Sequence, residues 1–257
     1  MTEFTKWFKV PAEEFQSLKH KYCDTCSICN GTRLQYIDTD EFTGTTHCEC
    51  VAAFQSAFAS AKARIPAIYR EFTTEDIDQE FAKNNSQGMA KALKYHARVQ
   101  KAYDEGAGLF LNGDNGSGKS FIACLILKEA IAKGFSAHFV SLKELTSAAF
   151  DALRDEDARE DLETLITQTD FLVIDEFDKM YQDKNDLVIN LLDALFKQRY
   201  YTNKPLIVTS NTSFDEIMDT HSSSIASMFT EKLLKVCFTG NYRAKCGKNL
   251  EDEFFKE

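Results

Sequence analysis

The stretch that most constrains this chain is Gly113-Asp114-Asn115-Gly116-Ser117-Gly118-Lys119-Ser120. The apolar triplet Leu109-Phe110-Leu111 precedes it, and residues 119–133 follow it as a helix ended by Gly134. Glycines let successive backbone N–H groups close around a phosphate where a Cβ would collide. The helix that follows turns its positive end toward the same anion. Gly113, Asn115, Gly116, Ser117 and Gly118 are the expected cradle. Lys119 would bring a full charge to the outer phosphates, and Ser120 a hydroxyl to Mg²⁺. The bland alternative is a glycine turn before a helix. The strand before and the helix after are the context that the nucleotide reading requires.

Downstream, His138-Phe139-Val140, Phe171-Leu172-Val173-Ile174, Leu206-Ile207-Val208 and Val236-Cys237-Phe238 read as short strands. Helical patterns occupy residues 89–104, 142–154, 186–201 and 222–232. Strands that are apolar on both faces and separated by helices predict an α/β fold, a parallel sheet sandwiched by helices. Strand 171–174 runs into Asp175-Glu176. A carboxylate at a strand tip beside the phosphate loop is placed to hold Mg²⁺, which assigns Asp175. Its neighbour Glu176 is placed to orient or deprotonate a water. Asp178 and Asp183 nearby leave an ordinary acidic loop as the alternative. Asn211, after Val208-Thr209-Ser210, would meet the terminal phosphate or the water, or would merely cap the next helix.

Cys23, Cys26, Cys29, Cys48 and Cys50 are five of the chain's eight cysteines. Cys26-x-x-Cys29-x-Gly31 and Cys48-x-Cys50 form two close pairs suited to a four-thiolate structural Zn²⁺ site. Cys23 and His47 compete as ligands, and free thiols are the alternative. Cys124 lies in an apolar helical run and reads as a small core residue.

The 44% hydrophobic content supports a core, and no apolar run reaches the ~20 residues of a membrane span. Residues 1–10 contain no signal-peptide core, so a cytoplasmic protein with no membrane partner is expected. A net charge of −10 argues against coating duplex DNA but leaves room for a local basic groove. Residues 51–64 read as a helix ended by Ile65-Pro66, and 71–88 as a linker or docking segment.

Residues 113–120, 171–176 and 208–211, in this order, resemble the Walker A, Walker B and sensor 1 motifs of AAA+ ATPases. Arg243, in Gly240-Asn241-Tyr242-Arg243, looks like the sensor 2 arginine, with a plain surface arginine as the alternative. Adding the cysteine pairs and Ile65-Pro66-Ala67-Ile68-Tyr69-Arg70-Glu71-Phe72, the chain resembles the DnaC/DnaI class of replicative helicase loaders, some of them phage-encoded, and their IstB relatives. The resemblance covers about residues 23–245. It implies a helicase-binding zinc module at 1–70, a linker at 71–88 and an AAA+ ATPase domain at 89–257 without a C-terminal lid. It also implies ATP as cofactor, a DnaB-type helicase and single-stranded DNA as partners, and self-association through the ATPase domains. ATP state would control ring opening and release.

Two other roles stay open beside it: an IstB-like transposition ATPase, and a nucleotide-gated adaptor that barely hydrolyses. The resemblance fails at one point. No arginine occurs between Arg199 and Arg243, where the class carries a trans-acting one; Met228 stands in that stretch, and Lys232, Lys235 or Arg199 are the substitutes at hand. Slow or partner-dependent hydrolysis is therefore expected. Lys179, Tyr181 and Lys184 are candidate strand contacts, and Trp7, Phe8 and Phe15 candidate helicase anchors, with a solvated loop and a small local core as the respective alternatives.

Overall fold

The computed structural model describes residues 6–38, 43–178, 186–219 and 223–242. They form two compact units divided between Glu71 and Phe72.

The first unit holds α1 (Ala12–Lys19), a π-helical turn (His20–Asp24), an antiparallel hairpin of β1 (Leu34–Asp38) and β2 (Thr43–His47), and α2 (Glu49–Lys62). Beside buried Ala57, Ala61 and Ile65, its apolar packing includes an aromatic cluster. Phe15 meets Phe54 and Phe58 edge-on at 5.6 and 5.4 Å, and those two rings stack at 6.0 Å. Trp7 is 4% exposed, with the Arg64 guanidinium 5.2 Å from its ring. Trp7 is therefore local core, the alternative to the helicase-anchor reading, and Phe15 is half-buried against the Phe54 and Phe58 rings.

The second unit begins with α3 (Gln79–Asn84), α4 (Ser86–His96) and α5 (Val99–Glu105). It continues through β3 (Gly108–Gly113), α6 (Lys119–Ala132), β4 (Ala137–Ser141), α7 (Leu142–Ala152), α8 (Glu156–Gln168) and β5 (Phe171–Asp175). The last elements are α9 (Asp186–Tyr201), β6 (Leu206–Ser210), α10 (Phe214–Met218), α11 (Ser223–Lys232) and β7 (Leu233–Phe238). The five strands are parallel in the order β4-β5-β6-β3-β7. The chain leaves β3 for the far edge, returns through β5 to β6 beside β3, and ends with β7 on the other side. Loops after β3, β5 and β6 thus meet at one end of the sheet, where open α/β sheets place their ligands. Helix α6 is apolar all round, and Ile122, Ala123, Cys124, Ile126 and Leu127 are all buried.

Two segments differ from expectation. Within the 71–88 stretch expected as a linker or docking segment, residues 79–84 and 86–88 are helical, as α3 and the start of α4. Asn85, between α3 and α4, is buried; it accepts from Thr239 N at 2.7 Å and donates to Thr239 O at 3.2 Å, fixing this segment to the end of β7. The helix expected over 89–104 is two helices, broken at Ala97 and Arg98. Among the described residues no helix is long and apolar enough to cross a membrane.

Candidate nucleotide site and cysteine cluster

Gly113 ends β3 opposite Phe238, and a Cβ there would lie 1.9 Å from the Phe238 carbonyl oxygen. Only glycine lets the loop leave the sheet so close to its neighbour. Gly118 opens α6 in the left-handed conformation (φ 85°), and no side chain caps the helix. The positive end of α6 thus opens directly onto the loop, the end at which a helix favours an anion.

Lys119 is 8% exposed. Its ammonium donates to Gly113 O at 2.7 Å, Asp114 O at 2.8 Å and Asn211 Oδ1 at 3.0 Å. Those oxygens offset the cost of burying the charge. Asn211 is held from its other side. Its backbone N–H and its Nδ2 donate to the two Asp178 carboxylate oxygens at 3.0 and 3.1 Å.

Across the loop, Ser120 Oγ donates to Asp175 Oδ1 at 2.7 Å, and Thr209 Oγ1 donates to the same oxygen. Thr209 Oγ1 also accepts from Glu176 N at 3.0 Å. Burial pushes the Asp175 carboxyl above its ordinary range; the Thr209 and Ser120 hydroxyls and Lys119 oppose this, and the charge of Glu176 adds to it. A hydroxyl beside two carboxylates, one of them destabilised by burial, is an all-oxygen set short of positive charge, which fits a hard divalent cation such as Mg²⁺. Glu176 sits at φ 58°, in the left-handed region that a glutamate adopts only under constraint.

The structure thus brings Gly113, Gly118, Lys119, Ser120, Asp175, Glu176 and Asn211 together around one loop. Arg243 lies outside the described residues, as do Lys179, Tyr181 and Lys184. Asp178 and an aromatic layer were missed. Phe81 packs on Tyr242 at 4.9 Å and on Phe238 at 5.6 Å, and Tyr242 N donates to Gly116 O at 2.9 Å. The Tyr242 hydroxyl accepts from Asn84 Nδ2 at 3.1 Å. Residues 81–84 so brace the loop through contacts that no local pattern announces.

The substitutes for a trans-acting arginine are engaged within the chain. Arg199 is 2% exposed and donates to the carbonyls of Ile166, Thr169, Asp170 and Pro205. Burial pulls its pKa down to about 9, so it is still charged at neutral pH. Lys232 donates to Glu105 O and Asn203 Oδ1, and Lys235 pairs with Asp215 at 2.9 Å.

In the first unit the sulfurs of Cys26, Cys29, Cys48 and Cys50 all lie within 4.8 Å of one another. Cys26 and Cys48 are 3.8 Å apart, and Cys29 and Cys50 3.6 Å. A Zn–S bond of about 2.3 Å in a tetrahedron gives a sulfur–sulfur edge of about 3.8 Å, so the set fits Zn²⁺. Arg33 N donates to Cys29 Sγ at 3.3 Å, a contact that would also stabilise a thiolate. Cys23 lies outside this four-sulfur set, with its thiol 3.8 Å from Cys50 O, and His47 is exposed on β2.

Comparison with known proteins agrees with this geometry. The family model "IstB-like ATP binding protein" matches residues 49–239. The replicative helicase loader DnaC of Escherichia coli K12 is 25% identical over 133 residues, 51% of this chain and 54% of that protein. The insertion sequence IS5376 putative ATP-binding protein of Geobacillus stearothermophilus is 32% identical over 127 residues, 49% of each chain. The chain therefore spans about half the length of the curated relatives it matches. Among solved structures, DnaI aligns with TM-score 0.58 at 20% identity, over 68% of this chain and 94% of that one. The DnaC helicase loader aligns with TM-score 0.53 at 18% identity, over 63% and 99%. With the phosphate loop, the carboxylates facing it and the parallel sheet that carries both, the chain belongs to the IstB-like ATP-binding proteins and has the AAA+ fold of the DnaC and DnaI loaders.

Proposed function

We propose that the protein is an ATP-dependent loader of a DnaB-type ring helicase, with its cysteine module gripping the helicase and its AAA+ domain acting on single-stranded DNA. The observation that supports this reading is one chain joining a four-sulfur cluster to a phosphate loop whose Lys119 and Ser120 meet Asn211 and Asp175. The loop amides from Gly113 to Ser120 and the Lys119 ammonium bind the triphosphate. In doing so Lys119 exchanges the Gly113 and Asp114 carbonyls for phosphate oxygens. Ser120 and Asp175 would hold Mg²⁺, which supplies charge neutralisation at the outer phosphates. Glu176 takes a proton from the attacking water, Asn211 orients that water or the terminal phosphate, and Arg243 completes the site from the same chain. Self-association through the ATPase domains places copies side by side, and the nucleotide state controls ring opening and release.

Arg199 is locked into the core and Lys232 and Lys235 are engaged, so none of the three substitutes at hand is offered to a neighbour's site. A trans-acting arginine is worth about 10³–10⁵ in rate. Hydrolysis by the chain alone is therefore slow, and a partner accelerates it.

Mixing the purified chain with DnaB-type hexamers, with and without ATP, tests the reading by light scattering after gel filtration. An ATP-dependent complex of defined mass supports it; no complex with any of several hexamers sinks it. The 32% identity to an insertion-sequence ATP-binding protein favours a second reading, an ATPase that regulates a transposase. Capture of a transposase rather than a helicase would select that one.

A further inference from the structure

A groove of about 370 Å³ lies between α4, α5, the start of β3 and the edge strand β7. It begins near Leu109, whereas the nucleotide loop leaves the opposite end of β3. Lys91, Lys94, Arg98, Lys101 and Lys235 line it, with Glu105 as the single carboxylate. All five cations are exposed. Glu105 pairs with Lys101 at 3.5 Å and Asp215 with Lys235 at 2.9 Å. Among the described residues, no carboxylate lies within ion-pair distance of Lys91, Lys94 or Arg98.

This concentration stands out in a chain of net charge −10. Lys91 and Lys94 stand one turn apart on α4, and Arg98 follows at the break before α5, so three charges without an ion-pair partner lie along one wall of the groove. Three such charges can meet about three phosphates of one strand. The aromatic ring in the groove is not free to stack: Tyr95 is 6% exposed and its hydroxyl donates to Ala107 O at 2.6 Å. Nothing there reads a base, so contact is with the backbone alone. A duplex carries twice the charge per length and would lie against more of the acidic surface, so the acidic balance favours a single strand.

We propose that this groove binds the phosphate backbone of single-stranded DNA, without sequence preference. The inference rests on the DNA-handling part of the proposed function and names a surface for it apart from the 179–184 segment.

The test is fluorescence anisotropy with a labelled oligo(dT) on the full chain, at several salt concentrations. The comparison is with Lys94→Glu combined with Arg98→Glu, and with the milder Lys94→Gln combined with Arg98→Gln. Both residues are exposed and outside the nucleotide site, so ATP affinity should not change. The expected result is binding about 10–100-fold weaker for the charge reversal. The neutral pair should lower the salt slope by about 1.4, from about 0.7 per lost phosphate contact on a single strand. Wild-type affinity and slope in both variants overturn the proposal and leave the loader reading standing. Tighter binding of a duplex of equal length, or displacement of the oligonucleotide by polyglutamate at equal charge concentration, overturns it as well. Groove-dependent DNA binding by a chain that joins no helicase keeps the inference and removes the loader.

Discussion

Asp178 grips Asn211 through two hydrogen bonds, one to its backbone N–H at 3.0 Å and one to its side-chain amide at 3.1 Å. The amide oxygen is thereby turned to Lys119 Nζ, 3.0 Å away. The carboxylate fixes which way round the Asn211 amide stands at the phosphate end of the site. A hydrogen bond to a charged group is worth about 1.5–3 kcal/mol. We expect Asp178→Ala to lower kcat by about 10–100-fold while ATP affinity changes by less than about threefold. Asp178→Asn, which can still accept one bond, should recover part of the loss. Equal kcat in the alanine variant and the wild type would remove Asp178 from the site.

The sheet was legible because each strand is a short apolar run bounded by turn residues, as in Phe171-Leu172-Val173-Ile174 before Asp175. The loop at 113–120 was legible because its glycines are required by geometry that is wholly local. Asp178 was not, since one acidic residue after a strand looks like any other until Asn211 folds against it. The polar run around Asn85 read as a linker or docking segment, with nothing to say what it docks on. Its partner Thr239 is far along the chain, and a long-range pairing leaves no periodic trace. Helix α8 was missed because charged residues crowd it, although Ala158, Leu162, Leu165 and Ile166 form a buried helical stripe.

Arg199 is a structural residue that resembles a functional one. Its guanidinium ties the end of α8, the start of β5 and Pro205 before β6 through four carbonyls. Removing it leaves several buried acceptors without donors, at about 1–3 kcal/mol each. Arg199→Leu should destabilise the second unit by at least about 3 kcal/mol in urea denaturation. Mixed with wild-type chains, the folded fraction of Arg199→Lys should not poison their ATPase rate. Dominant inhibition would restore Arg199 as a trans-acting residue.

The cysteine geometry separates four candidate zinc ligands, Cys26, Cys29, Cys48 and Cys50, from Cys23. Metal analysis should find one zinc per chain in the wild type and in Cys23→Ser, and much less in Cys50→Ser. Chelation should unfold the first unit, whose small core has little else to hold it, while nucleotide binding by the second persists. Zinc lost equally from Cys23→Ser and Cys50→Ser would reassign the site.

Asp170 supplies an acid-sensitive tie between the starts of β4 and β5. Burial alone would raise its carboxyl; hydrogen bonds from Ser136 Oγ and N, with Lys204 at 3.2 Å, outweigh that and hold it below its ordinary value. The folded state therefore binds the proton less readily than the unfolded chain. The stabilisation is fully present above the ordinary carboxylate range and is lost as pH falls through the lowered value. Asp170→Asn should lower stability at neutral pH and flatten its decline below about pH 4. Parallel acid-unfolding curves for the two proteins would contradict this.

Glu176 offers the sharpest separation of stability from chemistry. Its backbone at φ 58° costs about 1 kcal/mol that a glycine would not incur. Glu176→Gly should therefore unfold at higher urea than the wild type, or at least no lower, after allowing for the extra freedom of its unfolded chain. Glu176→Gln keeps the strain and the shape but cannot take a proton. Both variants should bind ATP, and both should hydrolyse it at least about 100-fold more slowly. The strain then persists because a carboxylate is needed at the one position where the backbone turns out of β5. A glycine variant that hydrolysed ATP at the wild-type rate would break that link, since the strained residue would then have no task in the reaction.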